Sequence, residues 1–305
     1  MQSSSSSEIS DNTRPQAVDA VAVARQMRRL ALADGPPWLH QEVARRMAER
    51  LSIIKMQPQS VLQWSAFLGG GGEALAQIYP RAQQVCVEPA PALLARSQAV
   101  HKTPWWQPWA AGRAARVVAP DEVPDESFEL LWANMALHAC TDLPQILQQW
   151  HRGLARDGFV MFSCLGPDSF LELRQLYRTQ GWARPGPDWW DMHDIGDLLV
   201  QAGFADPVMD QERLTLTWAD PQTLLKDLRA MGGNIAPSRF SGCRGRFWHQ
   251  ALLRTLEQLR GPDGRLRLTL EIVYGHAFKP EPKIRVSAET TLSLDQMRAM
   301  IQKTR

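Results

Sequence analysis

From residue 16 onward the chain alternates between two rhythms: apolar residues every three to four positions, and short continuous apolar runs. Residues 16–33 (QAVDAVAVARQMRRLALA) and 38–55 (WLHQEVARRMAERLSIIK) carry the helical spacing with basic outer faces, and Asp34-Gly35-Pro36-Pro37 breaks the chain between them. Pro58 ends the second helix, and SVLQWSAFL follows as a short segment rich in strand formers. Four consecutive glycines, 69–72, lead into EALAQIYP, which reads as a helix closed by Pro80. QQVCVEP is a compact strand ending in Glu88, and APALLARSQAV is the helix after it. SFELLWANMALHAC holds a strand, DLPQILQQWHRGLARDG a helix that Gly158 should end, and FVMFSCL another strand. Strands alternating with helices in this way predict right-handed βαβ units and an α/β fold with a mostly parallel sheet.

Past Gly166 the order changes. DSFLELRQLYRTQG and DIGDLLVQAGF are helical, ERLTLTW is a strand, DPQTLLKDLRAMGG a capped helix and RLRLTLEIVYGHAF a long alternating strand. The sheet should therefore finish with antiparallel strands and carry a helical insertion over its edge. This divides the chain into a polar tail (1–15) expected to be disordered, an N-terminal helical cap (16–57), a sheet core (58–166) and a final region (167–305) that completes the sheet.

Composition narrows the partners. A net charge of +2 argues against a general nucleic-acid binder. The charge is uneven, however: residues 237–305 hold thirteen Lys and Arg against six Asp and Glu. Arg239, Arg244, Arg246, Arg265 and Arg267 make that segment either a docking face for an acidic partner or an ordinary solvated surface. The four cysteines are scattered with no C-x-x-C pair, so reduced thiols are expected. No apolar run approaches the roughly 20 residues of a membrane span. The start, MQSSSSSEISDNTRP, has no secretory character, and a cytoplasmic chain without membrane contact is expected.

In an open parallel sheet a ligand lies beyond the carboxyl ends of the strands. There a glycine turn admits it closely and an acid ending the next strand binds a ribose. Gly69 and Gly70 supply the turn, and Glu88 follows Gly69 by 19 residues. The alternative is that the glycines only make a tight loop and Glu88 caps the next helix. No Gly-Lys-Ser/Thr follows, which excludes a P-loop, and the G-x-G-x-x-G spacing of dinucleotide enzymes is missing. DWWDMHDIGD gathers Asp188, Asp191, His193, Asp194 and Asp197, but a helix cap at Asp191 or Asp194 explains them better than a metal. His138 stands at a strand-to-helix turn, either to orient a ligand or to satisfy its own loop. Trp105, Trp106 and Trp109 read as packing residues.

Residues 61–166 resemble a class I S-adenosylmethionine-dependent methyltransferase. WANMALH (132–138), FSCLGPDSFLELR (162–174), DMHDIGDLLVQAGFADPVMD (191–210), LLKDLRAMGGN (224–234) and TLEIVYGHAFKP (269–280) resemble the biotin-pathway malonyl-ACP O-methyltransferases (BioC). Mitochondrial methyltransferase-like assembly factors share much of the pattern. The resemblance implies a Rossmann-like class I fold with helices on both faces of the sheet. It implies S-adenosyl-L-methionine as cofactor, and an acyl carrier protein bearing a malonyl group as partner. It sets Gly69 and Gly70 at the methionine end of the cofactor, Glu88 at the ribose, Asp121 near the adenine and Asn134 beside the sulfonium. Arg174 would hold the substrate carboxylate, with His138 beside the site.

Three places depart from the family. Where it reads Asp-Leu-Gly-Cys-Gly-Thr-Gly, this chain reads Gln63-Trp64-Ser65-Ala66-Phe67-Leu68-Gly69, so an acid is an amide and two glycines carry side chains. Residues 16–37 lack the family's covering Phe and Tyr, and the acidic motif around Asp121 is blurred. Three functions follow: a methyltransferase acting on a free carboxylate, a relative that has lost its cofactor and serves in binding or assembly, or a methyltransferase for another substrate.

Overall fold

The computed structural model describes residues 18–101 and 115–281. The expected tail and the three tryptophans at 105, 106 and 109 lie outside them. Five parallel strands form the first part of one sheet: β1 (Ser60–Trp64), β2 (Gln83–Val87), β3 (Arg116–Val118), β4 (Phe128–Ala133) and β5 (Leu154–Leu165). β6 (Ala205–Trp218) and β7 (Leu266–Phe278) complete it, with β7 inserted antiparallel between β5 and β6. The spatial order is β3-β2-β1-β4-β5-β7-β6. The chain winds one way from β1 to β3 and the other way from β4, and the crevice beyond the carboxyl ends of β1 and β4 is the usual place for a ligand in such a sheet.

The period of two along each strand feeds two cores. Leu62, Trp64, Leu131, Ala133, Val160 and Phe162 face α6 (Leu143–Gly153) and α8 (Met192–Gln201). Val61, Leu130, Trp132, Phe159 and Met161 face α2 (Trp38–Leu51) and α4 (Gly72–Ile78). Both faces of the parallel strands are buried, which is why these strands read as unbroken apolar runs. The long β6–β7 pair extends past the end of β5 and carries a third core, in which Trp218, Leu266 and Leu268 meet α7 (Leu171–Thr179), α9 (Pro221–Met231) and α10 (Arg246–Leu256). α1 (Ala20–Leu30) and α5 (Pro91–His101) complete the helices used below.

Besides the short edge strand β3, which no apolar run announced, three elements differ from expectation. The helix expected to end at Gly158 stops at Gly153, because Leu154 is already extended, pairs with Phe128 and is fully buried. β5 then makes a bulge, with Asp157 left-handed at φ 59, before pairing resumes at Phe159. α10 is the insertion's unanticipated helix. The third difference is α3 (Ala66–Gly69), a short helix where a glycine loop was expected. Among the described residues, no helix is long and apolar enough to cross a membrane.

Candidate active site

The segment after β1 turns sharply at Ser65, which sits left-handed at φ 53 and ψ 48, a geometry in which a side chain is strained. Its N–H donates to Val87 O at 2.8 Å, and its carbonyl accepts from Gly69 N at 2.8 Å. Gly70, at φ 66, ends the helical turn as a left-handed cap. A short helix leaves unsatisfied N–H groups at its start, and here Glu88 supplies the acceptor. Its Oε1 accepts from Phe67 N at 2.7 Å and from Ser97 Oγ at 2.9 Å. Glu88 is 1 % exposed and its Oε2 has no partner. Burial pushes the carboxyl up to about 7, against the pull of these two donors.

Asn134, just past β4, ties the same turn to the helices. Its Nδ2 donates to His40 O at 2.7 Å and to Gly69 O at 2.6 Å, while its Oδ1 accepts from Ser163 Oγ at 2.7 Å. His40 Nδ1 lies 2.9 Å from Leu68 O. Strands β4 and β5, α2 and the turn are thus held by one buried network. Above it Phe67 packs with Leu30, Ala31, Leu68 and Leu93, and the Arg96 guanidinium lies over its ring at 4.4 Å. The glycines expected to line an open loop are therefore spent otherwise: Gly69 closes α3, Gly70 caps it, and Gly72 begins α4. The cause is the apolar segment Ala66-Phe67-Leu68, which folds as a helical turn with Leu68 buried and Phe67 half-buried against α1 and α5.

On the other side of His40 lies a cavity of about 240 Å³, bounded by α1, α2, α7 and α9. Its walls are mostly apolar, among them Met135, Phe170 and Trp189. Met135 and Phe170 are left-handed at φ 50 and φ 56, so backbone strain gathers here as it does at Ser65. Among the side chains that line it, Arg174, His138 and Gln26 each have a buried polar atom without a protein hydrogen-bond partner: Nε, Nδ1 and Oε1. Arg174 is anchored through Nη2, which donates to Pro167 O and to Ser169 O, and its Nη1 lies 3.8 Å from Asp188 Oδ1. His138 stands edge-on to His40 at 5.7 Å, and burial lowers His138 to about 3 and His40 to about 4, so both rings are neutral.

The structure thus brings Arg174 and His138 together, and separately gathers Gly69, Gly70, Glu88 and Asn134 on the turn. None of the latter four lines the cavity. Asp121 stands exposed on the turn after β3, apart from both groups. Asp191 caps α8 through His193 N at 2.8 Å, and among the described residues no three His, Cys, Asp or Glu are arranged to hold a metal. Sequence reasoning missed Gln26, His40 and Ser163. Each had a signal: Gln26 interrupts the buried stripe Ala22–Leu30, His40 adjoins the apolar face of α2, and Ser163 is the polar residue within FVMFSCL.

A sheet of this order, with a ligand crevice at its switch point, is that of the class I S-adenosylmethionine-dependent methyltransferases. The YcgJ protein of Bacillus subtilis shares the fold at a TM-score of 0.52 and 13 % identity, covering 79 % of this chain and 99 % of that one. A methyltransferase domain model matches residues 68–162. The chain is 41 % identical to a malonyl-[acyl-carrier protein] O-methyltransferase of Gallionella capsiferriformans, over 82 % of this chain and 87 % of that protein. It is 32 % identical to malonyl-[acyl-carrier protein] O-methyltransferase 1 of Coxiella burnetii, over 92 % and 96 %. The chain belongs to the malonyl-[acyl-carrier protein] O-methyltransferase family. Its class is that of S-adenosyl-L-methionine-dependent O-methyltransferases.

One feature fits that cofactor: Glu88, the residue after β2, has a buried carboxylate oxygen without a partner, a suitable acceptor for a hydroxyl. The conformation of α3 is closed over it, since Phe67 N–H and Ser97 O–H occupy the other oxygen and the Phe67 cluster packs above.

Proposed function

We propose that this chain transfers a methyl group from S-adenosyl-L-methionine to the free carboxylate of a malonyl group on an acyl carrier protein, a step of biotin synthesis. The observation that carries the reading is Arg174, a largely buried guanidinium with Nε unpartnered in an apolar cavity at the edge of a methyltransferase sheet. Kinship with malonyl-carrier methyltransferases over most of the chain favours an enzyme over a binding protein that has lost its cofactor.

A carboxylate with a pKa of about 4 is already ionised at neutral pH, so the nucleophile needs no base. What it needs is placement. Anchoring of Nη2 by two carbonyls fixes the Arg174 plane and leaves Nε–H for the substrate carboxylate, a charge-assisted hydrogen bond. The apolar walls exclude water that would otherwise solvate that carboxylate. Neutral His138 keeps one ring N–H, and with that proton on Nδ1 it would donate a hydrogen bond to the substrate without acting as an acid. When bound, the cofactor supplies an activated methyl group, and the protein's task is alignment. Glu88 Oε2 would take a ribose hydroxyl, the backbone of Gly69 and Gly70 would meet the methionine end, and Asp121 would serve the adenine. Asn134, with its amide committed, acts by tying the turn to α2 and not by touching the sulfonium. The four unpaired thiols suit a reducing cytoplasm.

Calorimetric titration with S-adenosylmethionine should give micromolar binding, and silence at millimolar cofactor overturns the reading. With malonyl-carrier substrate, Arg174→Ala should lower kcat/KM about a hundredfold and leave cofactor affinity unchanged.

A further inference from the structure

The basic carboxyl-terminal segment resolves into two kinds of arginine. Arg239 pairs with Asp19 at 2.6 Å, Arg267 with Asp263 at 3.0 Å, and Arg265 bonds Thr217 Oγ1 at 2.8 Å. Those three are engaged within the fold. Arg244 and Arg246, at the start of α10, have no carboxylate partner among the described residues. Their guanidinium groups lie on aromatic rings instead: Arg244 over Phe240 at 3.8 Å and Trp248 at 4.5 Å, Arg246 over Phe247 at 4.9 Å.

Phe240 is 47 % exposed and Phe247 72 % exposed, although large apolar side chains are normally drawn inward. No acid stands in the first turn of α10, so two arginines sit uncompensated at the positive end of a helix dipole. Within the chain that arrangement is unfavourable. An acidic surface laid across it would relieve both the charge and the exposed rings.

The ridge also leads somewhere. Trp248 packs tilted against Trp182 with ring centroids 5.3 Å apart, and Trp182 meets Tyr177 edge-on at 5.2 Å. Tyr177 and Trp182 line a surface groove along α7 that includes Arg178 and ends at Arg174 and Pro185, both of which also line the cavity. Arg178 has no carboxylate partner among the described residues. The path runs from an exposed basic-aromatic ridge, past a cationic side chain, to the residue assigned to the reacting carboxylate.

We propose that the start of α10 is the docking face for the acidic surface of the acyl carrier protein, and that its phosphate-linked arm lies along the α7 groove with the phosphate at Arg178. This rests on the function proposed above and names the route by which its substrate arrives. Partner and arm have the chemistry the surface needs: a negatively charged face, a phosphodiester, then a thin chain that enters where a folded protein does not.

The test compares three substrates: malonyl carrier protein, malonyl-phosphopantetheine and malonyl-pantetheine. Arg244→Glu/Arg246→Glu should raise KM at least tenfold for the carrier-bound substrate alone, with kcat kept and the unfolding midpoint not lowered. Arg178→Ala should raise KM for the two phosphate-bearing substrates and leave malonyl-pantetheine as it was. Direct binding of the carrier protein, read by surface plasmon resonance, should weaken equally in the double variant and fall with salt. Methylation of all three substrates by every variant with unaltered KM would overturn the docking route while leaving the function standing. Should the wild type methylate none of them, the function fails, and the resonance measurement still decides the surface: carrier binding abolished by the double variant supports it, and no binding by the wild type overturns it.

Discussion

The two sides of His40 have opposite hydrogen-bond states. On the turn side, the Asn134 amide, the carbonyls of Leu68 and Gly69 and the Phe67 N–H are all engaged within the protein. On the cavity side, Arg174 Nε, His138 Nδ1 and Gln26 Oε1 are buried without a protein hydrogen-bond partner. Each such buried, unmatched group costs about 1–3 kcal/mol until a ligand supplies its partner. On the function proposed above, the substrate carboxylate would supply Arg174 Nε with its partner. On the same proposal, the turn would exchange contacts it already has, with Glu88 Oε2 as the acceptor left over, and cofactor affinity would carry the cost of opening α3.

The contrast is most sharply broken through Glu88. Its carboxyl, ordinarily at 4.5, is raised to about 7 in the folded chain, so folding favours the protonated form. The stability this gives is fully present below pH 4.5, declines as pH rises and is lost above about 7, amounting to at most about 3 kcal/mol. Glu88→Gln keeps the acceptor without the titration and should flatten that decline in urea unfolding between pH 5 and 8. Buried His40 and His138, lowered to about 4 and 3, give the opposite slope below pH 6.5, so the quantity to read is wild type minus variant. An identical slope in both proteins would mean that Glu88 is not held as the turn's cap.

A smaller effect is expected from Phe67→Gly, which removes a half-buried ring packed against Leu30, Leu68 and Leu93. Calorimetry should show S-adenosylmethionine binding about tenfold tighter, while the chain loses about 2 kcal/mol of stability from a vacated packing site and a glycine in a helix. Unchanged affinity would show that the ring does not set the cost of opening, and the two sides of His40 would then differ less than their hydrogen bonds suggest.

Much of this fold was readable before the structure, because unbroken apolar runs and helix spacing report burial directly. The parallel core, the antiparallel finish and the Asp191 cap all follow from such patterns. The turn was not readable in the same way. Four glycines suggested an open loop, yet the apolar triplet before them and an acid 21 residues beyond Phe67 decided its shape, and pattern cannot weigh a contact of that range. Arg174 and His138 were recognisable as a pair only through family resemblance, since 36 residues separate them in the chain. Gln26 and His40 were hidden because a polar residue on an apolar face reads as tolerance until its partners, or their absence, are seen.

Ser65 offers the finest test. At φ 53 and ψ 48 it occupies the position where the family has the first glycine of its motif, and it has kept a glycine's backbone while gaining a side chain. A non-glycine residue in this region costs about 1–2 kcal/mol, and a glycine there gives back part of that gain through its freer unfolded chain. Ser65→Gly should therefore stabilise by about 1 kcal/mol, visible as a rise of about 2 °C in Tm. Its effect on cofactor affinity should be slight, because the strain relieved belongs to the closed turn and to any open form that keeps the same bend after β1. If affinity instead fell in step with the gain in stability, the strain at Ser65 would be what helps α3 open, and the closed turn would be poised for its ligand as the cavity is.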